Sequence, residues 1–341
     1  MSIATAITNL QSRVADAYTS VGNKGGTLPQ VQDTLHLPAA IASIPAGSSS
    51  KFGATIEDVF KTVTANDETT LTMWGGATSL TFTGVTNIPD YGMQYKFANS
   101  SITSVSFPAL TSAGNSAFDH AFSECTSLTS VSFPELTSDN ALGNMFQYAF
   151  DGCTSLTSVS FPKLATITRA MFSHGFEGCT SLTTVSFPEL TTISASSTNY
   201  PFQAAFTGCT NLTSVSFPKL ASISGTSIFS SAFGQGTSSS PLSGVTSLSF
   251  PALTAIISNA PPAGAMFNSN KTLTRIDFPV LTSIKKTASA TTDNLTYLFS
   301  NCTNLTEIHF GSANQSVIEA SDGYATKWGA PNANCTIYFD L

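Results

Sequence analysis

One recurring phrase, SFPxL, restricts what this chain can fold into more than any other feature. It sets Phe107, Phe133, Phe161, Phe187, Phe217, Phe250 and Phe278 in equivalent places, with a degenerate last copy at Phe310 in HFG. The intervals are 26, 28, 26, 30, 33, 28 and 32 residues. A unit of that size cannot bury its apolar face alone, so successive units must stack into a solenoid. Each coil reads F-x-x-C-T-S-L-T-S-V-S-F-P-x-L-T-x-I, with Leu128, Val131, Phe133 and Leu136 as one worked copy. Val131 and Phe133 are two apart and point to the same side of a short strand, while Ser130 and Ser132 point to the other. Pro134 ends the strand because it has no N–H for the next ladder bond.

Counting back from each Phe gives Asn99, Cys125, Cys153, Cys179, Cys209, Leu242, Asn270 and Cys302 at one site. A small side chain able to hydrogen-bond can satisfy inward-turned backbone groups at a bend of the coil. Five of the six cysteines therefore recur for a structural reason, the thiols are expected to stay reduced, and no CxxC or CxxH spacing suggests a metal. Ahead of that site lie Phe118/Phe122, Phe146/Phe150, Phe172/Phe176, Phe202/Phe206 and Phe229/Phe233. Spacing of four puts both rings on one face of a helical turn, so each coil is expected to pair a parallel strand with a short helical turn, an α/β solenoid. Rings that recur coil after coil read as packed core and not as an aromatic box for a cofactor.

These residues resemble the BspA-like, or Treponema-type, leucine-rich repeats of bacterial surface proteins. AFDGCTSLTSVSFPKLATI at 149–167 and GFEGCTSLTTVSFPELTTI at 175–193 carry the resemblance, which spans residues 74–310. The family's coil is typically about 23 residues, and the coils here are longer. The excess is read as falling between the LxxI and the second Phe, as at Ser194–Pro201 and Ser224–Phe233, where long loops offer binding surface.

Residues 1–50 stand outside the repeat. Ile3, Ile7, Leu10, Val14, Ala17 and Val21 are spaced 4, 3, 4, 3 and 4, a heptad seam that ends at the GNKGG break. Self-association, for example as a trimer, and packing on a neighbouring helix both remain open for that seam. A second helix is expected over Pro38–Ile44, a linker over 46–50 and an adapter over 51–73 before the first coil. The segment with ADAYTSV and GNKGGTLP resembles the N-terminal module of predicted phage or prophage tail proteins of gut bacteria. The final segment, 316–341, resembles the closing segment of those proteins. Cys335, Ile337 and Phe339 alternate there as a last strand, so residues 311–341 read as a C-terminal cap over the Phe core.

Composition removes several functions. Only 10% of residues are charged, where about 25% is usual. A net charge of −7 with no basic cluster excludes nucleic-acid binding as an expectation. Ser or Thr interrupts every apolar run before it reaches a membrane span, and the N-terminus lacks the basic start and apolar stretch of an export signal. No carboxylate pair, Ser/His/Asp phrase or phosphate loop recurs, so neither catalysis nor a cofactor is expected.

Three surface registers remain. Glu135, Lys163, Glu189 and Lys219 follow the strand proline on consecutive coils, where alternating charges fix the coil register. Outward Ser and Thr residues, from Ser104/Ser106 to Ser247/Ser249, form a carpet of hydroxyls that gives way to Arg275, Asp277, Glu307 and His309 on the last coils. His120, Tyr148 and His174 share a third register, too far apart at alternate coils for a shared metal and most simply ordinary surface residues. With Tyr200 and Phe202 on a lengthened loop, and the charged patch on the last coils, they are the candidate ligand-binding residues. The expected function is non-enzymatic recognition of a host-surface or extracellular protein or glycan by a phage-tail or prophage particle, with the N-terminal module meeting other tail or baseplate proteins. A bacterial adhesin and a structural spacer are the rival readings.

Overall fold

The computed structural model describes residues 79–341 apart from 83–84, 139–142, 196–198, 226, 235–241, 259–265, 287–297 and 322. The heptad seam, the Pro38–Ile44 helix, the linker and the adapter lie outside the described residues.

Each SxS strand pairs in parallel with the next. One sheet runs through Ser79–Thr81, Ser104–Ser106, Ser130–Ser132, Ser158–Ser160, Thr184–Ser186 and Ser214–Ser216. A second, of Ser247–Ser249, Arg275–Phe278, Glu307–Phe310 and Thr336–Phe339, continues the stack to the C-terminal cap. The register is in phase throughout, with Val131 opposite Val105 and Val159. Thus the central apolar residue always faces inward and the flanking hydroxyls outward.

The LxxI segment makes a sheet on another side of the coil that the repeat did not announce, through Thr166–Ile167, Thr192–Ser194, Ser222–Gly225, Ala255–Ser258 and Ser283–Lys286. Each coil therefore has three sides: two strands and a run of turns.

That third side is the main correction to the sequence reading, because among the described residues of the coils it contains no helix. In residues 114–124, alternate N–H groups close turns three residues back: Ala117 to Gly114, Asp119 to Ser116, Ala121 to Phe118 and Ser123 to His120, at 2.9–3.3 Å. The intervening N–H groups cross to the next coil, from Phe118 to Met145, His120 to Gln147, Phe122 to Ala149 and Glu124 to Asp151. An α-helix would use every N–H within its own segment. Linked turns use half of them between coils, so this side also bonds the stack together. They require a left-handed residue every fourth position, seen as Ser116, His120 and Glu124 with φ of 49°, 52° and 59°. The Phe pairs four apart keep their inward places, because linked turns share that period of four with the expected helix.

The rings form three columns. The strand column runs through Phe107, Phe133, Phe161 and Phe187 at centroid steps of 5.3, 5.7 and 5.7 Å, near-parallel throughout. Phe118, Phe146, Phe172 and Phe202 form one turn-side column, and Phe122, Phe150, Phe176 and Phe206 the other. Turn-side rings meet strand rings edge-on, as Phe118 meets Phe133 at 76°. Burying such rings supplies most of the stabilisation, since hydrophobic transfer dominates folding.

The cysteine site does what its recurrence implied. Cys153 Sγ donates to the carbonyl of Phe122, Cys179 to Phe150 and Cys209 to Phe176, at 3.0–3.1 Å. Asn270 does the same work with two bonds of 2.7 Å, to Phe229 and Phe267. Burial pushes the Cys179 and Cys209 thiols upward, which leaves them poor nucleophiles. Two assignments to this site shift. Ser100 takes the place given to Asn99, and Leu242 is exposed while Ser243 turns inward.

The hydroxyls are not all idle carpet. Thr129, Thr157, Thr183 and Thr213 each donate from Oγ1 to the carbonyl of the equivalent threonine one coil earlier, at 2.9–3.3 Å. The cap closes the far end. Trp328 is fully buried against Phe310, and its carbonyl accepts from Phe299 N–H at 3.0 Å.

Candidate functional site: an aromatic ladder on the turn side

His120, Tyr148 and His174 come together, and a fourth ring joins them. Tyr95, His120, Tyr148 and His174 stack face to face, each centroid 4.6 Å from the next, with interplanar angles of 19°, 19° and 13°. Their shared sequence register foretold the three. Tyr95 was missed because its coil precedes the first full SFPxL phrase by one residue fewer between bend and strand.

All four rungs sit at the left-handed place in the turn, with φ of 56°, 52°, 51° and 55°. That conformation costs a non-glycine residue roughly 1 kcal/mol or more, and glycine is the default there. Two of these coils use glycine at the next left-handed place, Gly152 and Gly178, both at φ 70°. The chain instead puts large aromatic side chains at the ladder positions on four coils, then changes to Ala204 and Ser231 in the same conformation. Ring stacking offsets part of the backbone cost, at about 0.5–1.5 kcal/mol per pair.

Carboxylates border the ladder. Asp119 lies 2.7 Å from His120 Nδ1 and accepts from Gln94 Nε2 at 2.9 Å, and Glu177 lies 2.6 Å from His174 Nδ1. A Cβ at Gly152 would meet the Glu124 carboxylate at 2.7 Å, so glycine there leaves room for that side chain to fold over it. Asp151 stands among them. Burial first, then Glu177 and Glu124, push its carboxyl up to about 6, against the pull of His120 and His174. The Tyr148 hydroxyl is raised by burial and by Glu177, Asp151 and Asp119.

The other proposed residues divide. Tyr200 is half-buried beside the ladder side, but Phe202 is wholly buried in the turn-side Phe column, stacked on Phe172 and Phe229, and no ligand reaches it. Its place after an inserted stretch made it look like loop. Residues Ser224–Phe233 are likewise not a long loop: they hold the end of a strand and a buried turn run, and the extra length of that coil falls between Phe233 and Val245.

Arg275, Asp277, Glu307 and His309 do meet, but as a network satisfied within itself. Arg275 Nε bonds Asp277 at 2.7 Å and its Nη1 approaches Glu307 at 3.5 Å. His309, 4% exposed, sits between Glu307 at 3.2 Å and Asp340 at 2.7 Å, beneath the ring of Tyr338. Asp340 belongs to the cap, so these residues tie the cap to the last coils.

Fold and site together define a parallel solenoid of the leucine-rich-repeat class, with repeat-built faces and no cluster of three or more metal-ligating side chains among the described residues. Residues 86–232 and 202–319 match the family described as BspA type leucine rich repeat region, in six copies. The chain belongs to that family. A crystal structure of a leucine-rich-repeat protein from T. pallidum aligns at a TM-score of 0.33 with 17% identity, covering 76% of this chain and 87% of that one. No curated protein matches the chain.

Proposed function

We propose that this protein is a non-enzymatic recognition scaffold that binds a host-surface or extracellular partner through the turn side of its solenoid. The observation that carries this reading is the Tyr95–His120–Tyr148–His174 ladder, because four coils place aromatic side chains where the backbone favours glycine. Strained positions held against local preference cluster at sites of function. Repeat scaffolds commonly recruit one face for binding, and the turn side supplies such a face here.

The setting we propose is a phage tail or prophage particle, supported by the resemblance of the ADAYTSV and GNKGGTLP segment to tail-protein modules. Residues 1–50 then join the solenoid to other tail or baseplate proteins, with Ile3, Ile7, Leu10, Val14, Ala17 and Val21 as the seam of a homotrimer. The test has two parts. Fluorescently labelled full chain is expected to adhere to gut bacterial cells, and the Tyr95→Ser/Tyr148→Ser variant to lose that adhesion; equal adhesion of the two removes the ladder from recognition. Light scattering on the full chain is expected to give a trimer that Leu10→Asp dissociates. A monomeric wild type at high concentration defeats the assembly reading, and a chain that adheres to nothing favours a spacer.

A further inference from the structure

The ladder's surroundings identify the kind of partner it fits. Elsewhere this chain orders its charges: Lys163 bonds Glu135 and Lys219 bonds Glu189, each at 2.6 Å between adjacent coils. On the turn side carboxylates gather beside the ladder instead, Asp119 bonded to His120 and Glu177 to His174. Glu124, Asp151 and Glu177 lie on three consecutive coils, and burial first, then Glu177 and Glu124, holds up the carboxyl of Asp151. Tyr91 and Tyr95, at 46% and 53% exposure, are the most open aromatic rings of the described chain, and among the described residues only His120 stacks on Tyr95. A guanidinium prefers such an open face, and carboxylates beside it supply the counter-charge.

We propose that the ladder is the docking surface for an arginine- or lysine-bearing segment of a partner protein. This rests on the reading of the turn side as the recognition face. The ladder's three steps of 4.6 Å match the length of about four residues of an extended segment, so two basic side chains two residues apart on such a segment fall among Asp119, Asp151 and Glu177. The rings supply flat contact area with little conformational freedom to lose. Raising the pH through 6 completes the ionisation of Asp151 and strengthens docking, and protonating that carboxyl weakens it.

The probe is a fluorescein-labelled peptide of four Arg-Ser repeats, with four Glu-Ser repeats as the control, read by anisotropy on the full chain. The Arg peptide is expected to bind at pH 7.5, to weaken at pH 5.5, and to lose about tenfold in affinity on Asp151→Asn/Glu177→Gln. Tyr95→Ser/Tyr148→Ser is expected to lose about threefold or more with every carboxylate in place. Glu135→Gln/Glu189→Gln, on the strand side, is expected to bind as wild type. Thermal melts verify that each variant is folded, and Tyr148→His, which keeps a ring on the rung, is expected to restore binding. The proposal is overturned by an Arg peptide that does not bind, by equal losses in the strand-side and turn-side variants, or by tyrosine variants that bind like wild type. Cell adhesion that still depends on the ladder, when the Arg peptide fails, leaves recognition standing and removes only the cationic partner.

Discussion

Two charged registers on the same solenoid follow opposite rules. After the strand proline, Glu135, Lys163, Glu189 and Lys219 alternate in sign and form exposed pairs across neighbouring coils. Along the turn side, Asp151 and Glu177 share one register on neighbouring coils, and Glu124 lies one place further along the coil before, beside an aromatic ladder. Both registers ride on one backbone, so local folding does not explain the difference. The Phe columns and in-phase strands already fix how coils meet, and they tolerate a charge arrangement that opposes stacking. The alternating register adds a small favourable pairing between coils, whereas the neighbouring carboxylates of the turn side carry a small cost.

Four variants break or sharpen that contrast. The largest effect comes from the core both registers share: Phe161→Ala, which opens a void against Phe133, Phe146, Phe172 and Phe187, is expected to cost about 3–5 kcal/mol in denaturant unfolding. It should do so at any pH, since no charge is touched.

Asp151→Asn is expected to stabilise the chain. A carboxyl held near 6, above its ordinary 3.8, takes up a proton more readily folded than unfolded, so its ionised form weakens the fold. The cost develops between pH 4 and 6 and is complete above that. The variant should gain about 1 kcal/mol at pH 7, after allowance for solvent screening of a partly exposed group, and nothing near pH 3. A thermal-melt series against pH checks both limits.

Tyr148→Gly exchanges the strained rung for the residue its backbone favours. Relief of the left-handed conformation and loss of two stacked neighbours nearly cancel, so the melt should move by less than about 1 kcal/mol while cell adhesion falls. A loss of several kcal/mol would mark the ladder as structural. The smallest change is Lys163→Glu, which makes the ordered register resemble the disordered one locally. It should cost about 0.5 kcal/mol at low salt and less in 1 M salt.

Much of this was readable beforehand, because in a solenoid sequence register is spatial register. Val131 over Val159, the cysteine bonds to the bend carbonyls and the stacking of His120, Tyr148 and His174 follow from counting along the repeat. The turn side was misread for a specific reason: Phe118 and Phe122 are four apart both in a helix and in two linked turns, and only the destination of the intervening N–H groups separates them. The LxxI sheet escaped notice because two or three residues around Ile167 and Ile193 carry too little alternation to identify a strand. Phe202 looked peripheral because an insertion precedes it, although it keeps the core place of Phe172. The network at Arg275 and His309 was legible as a cluster but not as a closed one, since Asp340 arrives from the cap.

Among the described residues, the turn-side backbone bonds that cross between coils run one way, from N–H groups of one coil to carbonyls of the next, and end at Trp328. Every interior joint therefore has the same fitting, like couplings along a train, and only the two ends differ. A gene encoding such a stack can gain or lose whole coils by duplication or deletion without redesigning any joint. The reach of the solenoid and the number of rungs on its ladder are thus free to vary together between relatives, while the terminal fitting around Trp328 must travel intact.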